Sequence, residues 1–451
     1  MQIDSSIFKA YDIRGIYPTN INEELAYAIG RAYATFVKPK GEVVVGHDVR
    51  LQSENLKNKV AEGLIDSGVD VVDIGLISTD MYYFAVGNYK FSGGIQSSAS
   101  HNPPEYHGFK MIRENVIPLT FEDGISQIRN IIENNNFVNT QTKGKIRKLN
   151  IEDDYVKYIL SWIDTSKIRS LKIAINPNFG YAGEIFRKIV ADGKLPIEIV
   201  GINDKPDGTF PKGRPDPFIP ENRTEISEFV KSVKANLGIA WDADADRVFF
   251  IADDGTFLEP YYLNTILIKQ MLKKFPGEKI IYDPRYTWGL IDAIRENGGQ
   301  PVICRVGHSY IKEKMREENA LYATESSGHT YFRDFWYADN GMIPVMQVLE
   351  FLSENKVELS EVLKPVMSKY FISGEINSEV KDKEAKMEEI AQKYSDAQIS
   401  RLDGVGIEYS DYRFVVRPSN TEPLLRLTLE AKSKELMERK RDEVLAIIRS
   451  S

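Results

Sequence analysis

The chain has 451 residues, enough for about three or four domains, and its 42% hydrophobic and 27% charged content is that of a soluble globular protein. Its 58 Lys and Arg against 66 Asp and Glu leave a net charge of -8 with no basic block. That argues against general nucleic-acid or anionic-membrane binding, yet leaves room for a local cationic pocket around a small anion. A single cysteine, Cys304, excludes an intramolecular disulfide, MQIDSSIFKAYDIRG at the N-terminus lacks the apolar core of a signal peptide, and no apolar run approaches the roughly 20 residues that span a bilayer; a cytoplasmic location is expected.

In chain order, the first clear unit is GEVVVGHDVRLQSENLKNKVAEGLIDSG, residues 41–68: an apolar strand, a Gly/Asp turn and an amphipathic helix. YYFAVGNY at 82–89 reads as buried core rather than a contact surface. GGIQSSAS, 93–100, is a strand rich in small residues. HNPPEYHG, 101–108, must be a tight loop, because consecutive prolines bar both helix and sheet ladder. The polar stretch NTQTKGKIRKLNIEDDY, 139–155, reads as a linker. LKIAINPNFGYAGEIFRKIVADG, 171–193, and EKIIYDPRYTWGLIDAIRENGG, 278–299, repeat the strand-turn-helix grammar, and ADDGTFLEP, 252–260, carries a turn ahead of a new helix. Such alternation indicates βα units on largely parallel sheets, here as three related α/β domains. A charged stretch near 374–390 breaks the pattern. From QISRLDG onward the chain reads strand, turn, strand, loop, strand, helix, a small α+β domain.

Four segments carry chemistry. In GIAWDADADRVFFIADD, 238–254, Asp242, Asp244 and Asp246 alternate between two apolar strands; three carboxylates this close need a cation, and hard oxygen donors suit Mg2+. An EF-hand calcium loop would need Gly and Glu where Arg247 and Asp253 stand. In VVRPSNTEPLLRLTLEA, 415–431, Arg417, Ser419, Asn420 and Thr421 crowd a turn, with Arg426 farther on; a guanidinium fork beside neutral donors suits phosphate. In CRVGHSYIKEKMREENALYATESSGHTYFRDF, 304–335, His308 follows Gly307 at a strand-to-helix turn, and Glu325 to His329 set donors and acceptors suited to vicinal sugar hydroxyls. Finally, SSASHNPPEYHGFK, 97–110, places serines at the mouth of the proline loop, where a nucleophile is well exposed; none sits in a Gly-x-Ser-x-Gly elbow, and the residues alone leave Ser97, Ser98 and Ser100 open.

Together and in this order, these segments resemble the α-D-phosphohexomutase superfamily, in particular its phosphomannomutase/phosphoglucomutase branch. Ser100-His101-Asn102-Pro103, with Lys110 following, matches the phosphoserine loop of that family. Asp242 to Arg247 matches its Asp-Gly-Asp-x-Asp-Arg metal loop with Ala243 in place of Gly. Glu325, Ser327, Gly328 and His329 match its sugar loop, with Thr324 in place of Gly. Arg417 to Pro423 matches its phosphate loop, and Tyr11 to Gly15 its N-terminal YDIRG. PFIPEN at 217–222 precedes the metal loop as in the family, and Arg285 stands where many relatives have Lys.

The resemblance implies three similar mixed α/β domains plus a smaller C-terminal α+β domain around a central active-site cleft. The boundaries expected are 1–148 with the phosphoserine loop, 149–252 with the metal loop, 253–368 with the sugar loop and 369–451 with the phosphate loop. It implies an enzyme that interconverts hexose 1- and 6-phosphates of mannose or glucose through a phosphoserine and a bisphosphorylated sugar. Ser100 would carry the phosphate, and Asp242, Asp244, Asp246 and the phosphoserine would hold one Mg2+. Lys110, Arg14 and Arg247 would supply fixed charge and His308 general acid/base assistance, with Arg14 or Lys110 competing for that last role. Tyr11, His101, Asn102, Arg285, Glu325, Ser327, His329, Arg417, Ser419, Asn420, Thr421 and Arg426 would bind substrate. Hexose 1,6-bisphosphate is the implied activator, hexose phosphates the partners, and a monomer or weak dimer the assembly. The rival readings are a phosphoglucosamine mutase, though Ser326 stands where that branch has Gln, a non-catalytic sugar-phosphate-binding relative, and an acidic metal-binding protein with no sugar site, which would leave the loops at 325 and 417 unexplained.

Overall fold

The first long helix, Glu23–Val37, begins where extended Asn22 accepts a hydrogen bond from the Leu25 amide at 3.0 Å, with Glu23 and Glu24 favourably placed at the positive end of the helix dipole. Its apolar face, Leu25, Ile29 and Tyr33, joins Leu56, Val60 and Leu64 of the helix Ser53–Asp66 and Val43, Val45 and Ile95 of a sheet in one core. This computed structural model describes residues 3–419 and 424–450. Its chain forms two compact units, 1–257 with 329–358 and 258–328 with 359–451. Among the described residues no helix is long and apolar enough to cross a membrane.

The first unit holds two mixed sheets. One has the strand order Ile13–Ile16, Tyr106–Arg113, Gly93–Ser97, Val43–His47, Val71–Leu76, Ile146–Lys148. Val43–His47 runs parallel to both of its neighbours, whereas Tyr106–Arg113 doubles back on Gly93–Ser97 with Phe109 opposite Ser97. The serine-proline loop is therefore a hairpin connection. In the second sheet Leu171–Asn176 runs parallel to Ile197–Gly201 and Leu237–Trp241, and Val248–Ile251 doubles back with Val248 opposite Trp241. The acidic loop 242–247 is the corresponding hairpin connection. YYFAVGNY lies in the helix Thr79–Asn88, with Tyr82, Tyr83 and Phe84 all at most 3% exposed, and Tyr155 Oη donates to Asp80 Oδ2 at 2.6 Å below it.

In the second unit Lys279–Tyr282 pairs in parallel with Gln300–Ile303 and Tyr322–Thr324. A separate antiparallel sheet runs Phe371–Ile372, Leu424–Ala431, Tyr412–Pro418, Val405–Glu408, Gln398–Ser400, and the helices Lys383–Lys393 and Lys434–Arg449 share its core. The three α/β sheets and the distinct antiparallel C-terminal sheet are the fold class the sequence implies.

Two segments differ from their reading. The linker 139–155 contributes the edge strand Ile146–Lys148, and the last segment holds one strand more than the three expected, with Gln398–Ser400 at the sheet edge. Both edge strands are exposed along their whole length. With neither face buried they show no apolar alternation, which is the signal a strand is read by.

Candidate active site

The two hairpin connections of the first unit meet. Ser100 takes a left-handed conformation, φ 46°, uncommon for a residue with a Cβ. Its Oγ donates to Asp242 Oδ2 at 2.9 Å and lies 3.1 Å from His101 Nδ1. The geometry separates the three serines. Ser98 accepts from the Ser100 amide at 3.1 Å and donates to Asp244 Oδ2 at 3.0 Å, while Ser97 belongs to the strand ladder. His101 thus faces both the Ser100 hydroxyl and, at 3.9 Å, the Asp242 carboxylate.

Asp242, Asp244 and Asp246 are buried, and one oxygen from each lies within 4.8 Å of the others. Lys110 Nζ sits 2.7 Å from Asp244 Oδ2 and 2.5 Å from Asp246 Oδ2, and Arg247 Nε donates to Asp242 Oδ2 at 3.0 Å. Burial and the neighbouring carboxylates of Asp246 and Asp244 push the Asp242 carboxyl well above the usual range. Burial works against the Lys110 ammonium too, but Asp244 and Asp246 outweigh it and raise its pKa. Thr79, which the sequence did not single out, donates to Asp244 Oδ2 at 2.7 Å and accepts from Lys110 Nζ at 3.2 Å.

The left-handed residue of the acidic loop is Ala245, φ 57°, not Ala243. An alanine at 243 therefore adds a methyl without that backbone strain. Close approach is provided instead by Gly180, where a Cβ would come 2.3 Å from the Ala243 carbonyl oxygen.

The three carboxylates fit a hard divalent cation. They are all oxygen donors, they converge, and Asp244 Oδ1 is buried with no hydrogen-bond donor among the described residues. Asp246, His329 and Asp339 form a second, overlapping group of the same kind; His329 Nε2 lies 3.5 Å from Asp246 Oδ1. Arg14 Nη1 donates to Asn102 Oδ1 at 2.5 Å, tying the N-terminal strand to the serine loop, and its other fork arm meets Asp12. Tyr11, half-buried, precedes that strand by two residues.

The remaining predicted residues belong to the second unit. Arg285 is buried and forks onto Asp283, with Nε 3.0 Å from Oδ1 and Nη2 2.8 Å from Oδ2, and it reaches Glu325 Oε1 at 3.3 Å. Asp283 in turn accepts from the Ser326 amide at 2.6 Å. The Glu325–Ser327 loop, closed by Gly328 at φ 94°, is therefore anchored through Arg285 and Asp283. His308 opens the helix His308–Glu318 behind Gly307.

Arg417 and Arg426 lie opposite each other on adjacent strands, and both point at Glu375, at 3.5 and 3.2 Å; Arg285 Nη1 is 3.8 Å from the same carboxylate. Glu375 lies in the charged stretch that the sequence marked only as a break. Ser419 is buried, and its carbonyl accepts from Lys383 Nζ at 2.8 Å. Asn420, Thr421 and Pro423 lie outside the described residues.

Sequence models of the phosphoglucomutase/phosphomannomutase family match in four consecutive pieces: alpha/beta/alpha domain I at 5–139, domain II at 153–255, domain III at 259–370 and the C-terminal domain at 375–447. A phosphomannomutase of Escherichia coli is 42% identical over 452 residues, covering 98% of this chain and 99% of its own. A protein of Xanthomonas campestris named phosphohexose mutases is 40% identical over 445 residues, again covering 98% and 99%. The crystal structure of a phosphoglucomutase/phosphomannomutase family protein from Burkholderia thailandensis superposes with a TM-score of 0.90 at 32% identity, over 100% of this chain and 99% of that one. Fold and relatives together define a phosphohexomutase, an enzyme that moves a phosphoryl group within a sugar phosphate. The chain belongs to the phosphoglucomutase/phosphomannomutase family.

Proposed function

We propose that this enzyme interconverts the 1- and 6-phosphates of mannose or glucose, with Ser100 as the phosphate carrier. The observation that carries the reading is the Ser100 hydroxyl held 2.9 Å from Asp242 inside a buried cluster of three carboxylates and a lysine. In the forward step the bond from Ser100 Oγ to phosphorus breaks. A bond forms from phosphorus to the free sugar hydroxyl, and that hydroxyl gives up its proton. The bisphosphorylated sugar then returns its other phosphoryl group to Ser100, reversing the same bond changes. Hexose 1,6-bisphosphate would accordingly serve as activator, because it loads an unphosphorylated Ser100.

Phosphoryl transfer passes through a loose transition state, so fixed charge and positioning dominate over covalent assistance. Asp242, Asp244 and Asp246, with an oxygen of the phosphoserine, would hold Mg2+, which when bound neutralises charge on the phosphoryl oxygens. Lys110 supplies a fixed ammonium, and Arg14 a planar guanidinium pinned by Asn102. His308 would exchange a proton with the sugar hydroxyl, with Arg14 or Lys110 as the competing choice. Glu325 and Ser327 bind sugar hydroxyls, and Arg417, Ser419 and Arg426 hold the phosphate that is not transferred. The buried Arg285 acts on the sugar loop through Asp283 and Glu325 rather than as a base.

Two measurements test the reading. Intact mass of the purified enzyme should show a phosphate-sized addition that Ser100→Ala lacks. Steady mutase turnover on mannose and glucose 1-phosphates, with Mg2+ and a trace of bisphosphate, should vanish in Ser100→Ala. Persistence of the added mass in that variant, or loss of turnover in Ser98→Ala alone, moves the phosphate carrier elsewhere.

A further inference from the structure

The serine loop cannot satisfy its own backbone. Pro103 and Pro104 have no amide hydrogen, and between Ala99 and Tyr106 the loop closes with Asn102 N to Ala99 O at 3.0 Å and Tyr106 N to Pro103 O at 3.1 Å. Its other carbonyls need donors from outside: His101 accepts from Arg214 Nε and Glu105 from the Tyr17 amide, both at 3.0 Å, and one side chain serves four more. Arg50 Nη2 donates to the carbonyls of Ser100 and Asn102 at 2.7 and 2.6 Å, and Nη1 to those of Pro103 and Tyr106 at 2.7 and 3.0 Å. The Arg50 side chain is fully buried, its Nε is 3.4 Å from Asp48 Oδ2, and its guanidinium lies over the Phe210 ring at 4.9 Å. Asp48 completes the arrangement. Its Oδ1 accepts from the Arg50 amide at 3.0 Å and from Ser53 Oγ at 2.6 Å, and its Oδ2 from the Ala99 amide at 3.3 Å. The motif GHDVR, 46–50, ends the strand that pairs in parallel with Gly93–Ser97, so it stands beside the chain as it enters the loop.

We infer that Arg50 is the positioning residue of the phosphoserine loop. Its planar fork binds four carbonyls at once, holds Ser100 in its left-handed conformation and so aims the Ser100 oxygen at Asp242. The same grip fixes Asn102, which in turn holds Arg14. Arg50 is buried beneath the loop and acts through its backbone carbonyls rather than on the reacting atoms. A lysine retains the charge but has one nitrogen and cannot reproduce the fork. The inference rests on Ser100 being the phosphate carrier.

The test compares Arg50→Lys and Arg50→Ala with the natural enzyme, in kcat and KM per folded molecule, with the folded fraction taken from urea unfolding. Misplacement of a transferring group by about 1 Å costs on the order of 100-fold in rate, so kcat should fall by about that factor in both variants while KM for hexose 1-phosphate stays within about twofold. Methylguanidinium at millimolar concentration should restore kcat of Arg50→Ala at least in part, and methylammonium at equal ionic strength should not. A merely structural arginine predicts the opposite: lower stability, unchanged kcat per folded molecule and no selective rescue. Natural kcat in Arg50→Lys, or a loss confined to KM, overturns the inference. If Arg50→Ala does not fold, the kcat of Arg50→Lys decides alone. Ser100→Ala, measured alongside, separates the two ideas: phosphate retained in that variant refutes the carrier assignment whatever Arg50 shows.

Discussion

The imidazole of His107 lies on the strand Tyr106–Arg113, 3% exposed, edge-on to the Tyr17 ring with centroids 5.7 Å apart. Burial lowers its pKa to about 4; the nearby Asp48 carboxylate opposes this and the Arg50 guanidinium reinforces it. A histidine whose folded pKa lies below its unfolded value of about 6.5 adds stability above pH 6.5, and that stability is lost as pH falls toward 4. Between pH 7 and pH 5 the loss from this one group is about 2 kcal/mol. Urea unfolding of the natural protein and of His107→Gln at both pH values should show a steeper acid-side decline in the former by that amount. Equal slopes would mean that His107 charges freely in the folded state.

His107 also shows what the sequence conveys at this scale. Its loop was legible because Ser100, His101, Asn102 and Pro103 are contiguous, and the aspartates because they alternate within one short loop. The buried state of His107, the fork of Arg50 and the hydroxyl of Thr79 were not, because each acts on partners tens of residues away, Thr79 on Asp244 across 165 positions.

Among the elements, the helix Trp288–Glu296 has no side-chain cap of its own at Thr287. The cap comes from the strand Leu424–Ala431 within the same unit. Glu430, 0% exposed, accepts from the amides of Thr287 and Trp288 at 3.0 and 3.3 Å and from Tyr261 Oη. Burial pushes its carboxyl upward, against the Arg413 guanidinium, which lies 3.7 Å away, and against the three hydrogen bonds. Arg413 itself donates to the carbonyls of Pro284 and Arg285 at 2.9 and 3.2 Å, so the segment that carries Arg285 is held from both ends of the helix turn. Removing one partner of a buried, hydrogen-bonded pair leaves the other uncompensated and costs about 3–5 kcal/mol. Glu430→Ala should lower the stability of this unit by that much in urea unfolding. Glu430→Gln, which keeps one acceptor, should lower it by about 1–3 kcal/mol. A change below about 0.5 kcal/mol in Glu430→Ala would show that the helix finds another cap. In LTLEA, Glu430 has the look of an ordinary strand residue, since nothing in a strand's alternation marks a carboxylate that serves a helix more than 140 positions earlier. The strand-turn-helix units, by contrast, were legible throughout, because their apolar periodicity is local and each buries one face.

At the scale of the whole molecule, the acidic loop draws together distant parts of one unit. Asp244 accepts from Thr79, Ser98 and Lys110, and Asp242 from Ser100, each more than 130 positions away in sequence. Three carboxylates against Lys110 and Arg247 leave the cluster with a net negative charge, and such a cluster repels itself unless a further cation joins it. A cation bound there crosslinks segments that separate on unfolding, so it favours the folded state by mass action, by about 2.7 kcal/mol at a hundredfold excess over its Kd. Added Mg2+ should therefore raise Tm of the metal-stripped protein by several degrees, and EDTA should reverse the rise. Asp244→Asn should lose most of it, because Asp244 contributes a buried oxygen that meets no donor among the described residues. The same variant removes one negative charge from the Lys110 neighbourhood, so its Tm without metal need not fall; the quantity to read is the Mg2+-dependent increment. An increment equal in Asp244→Asn and the natural protein would place the cation outside the aspartate triplet, and no increment in either would refute the site.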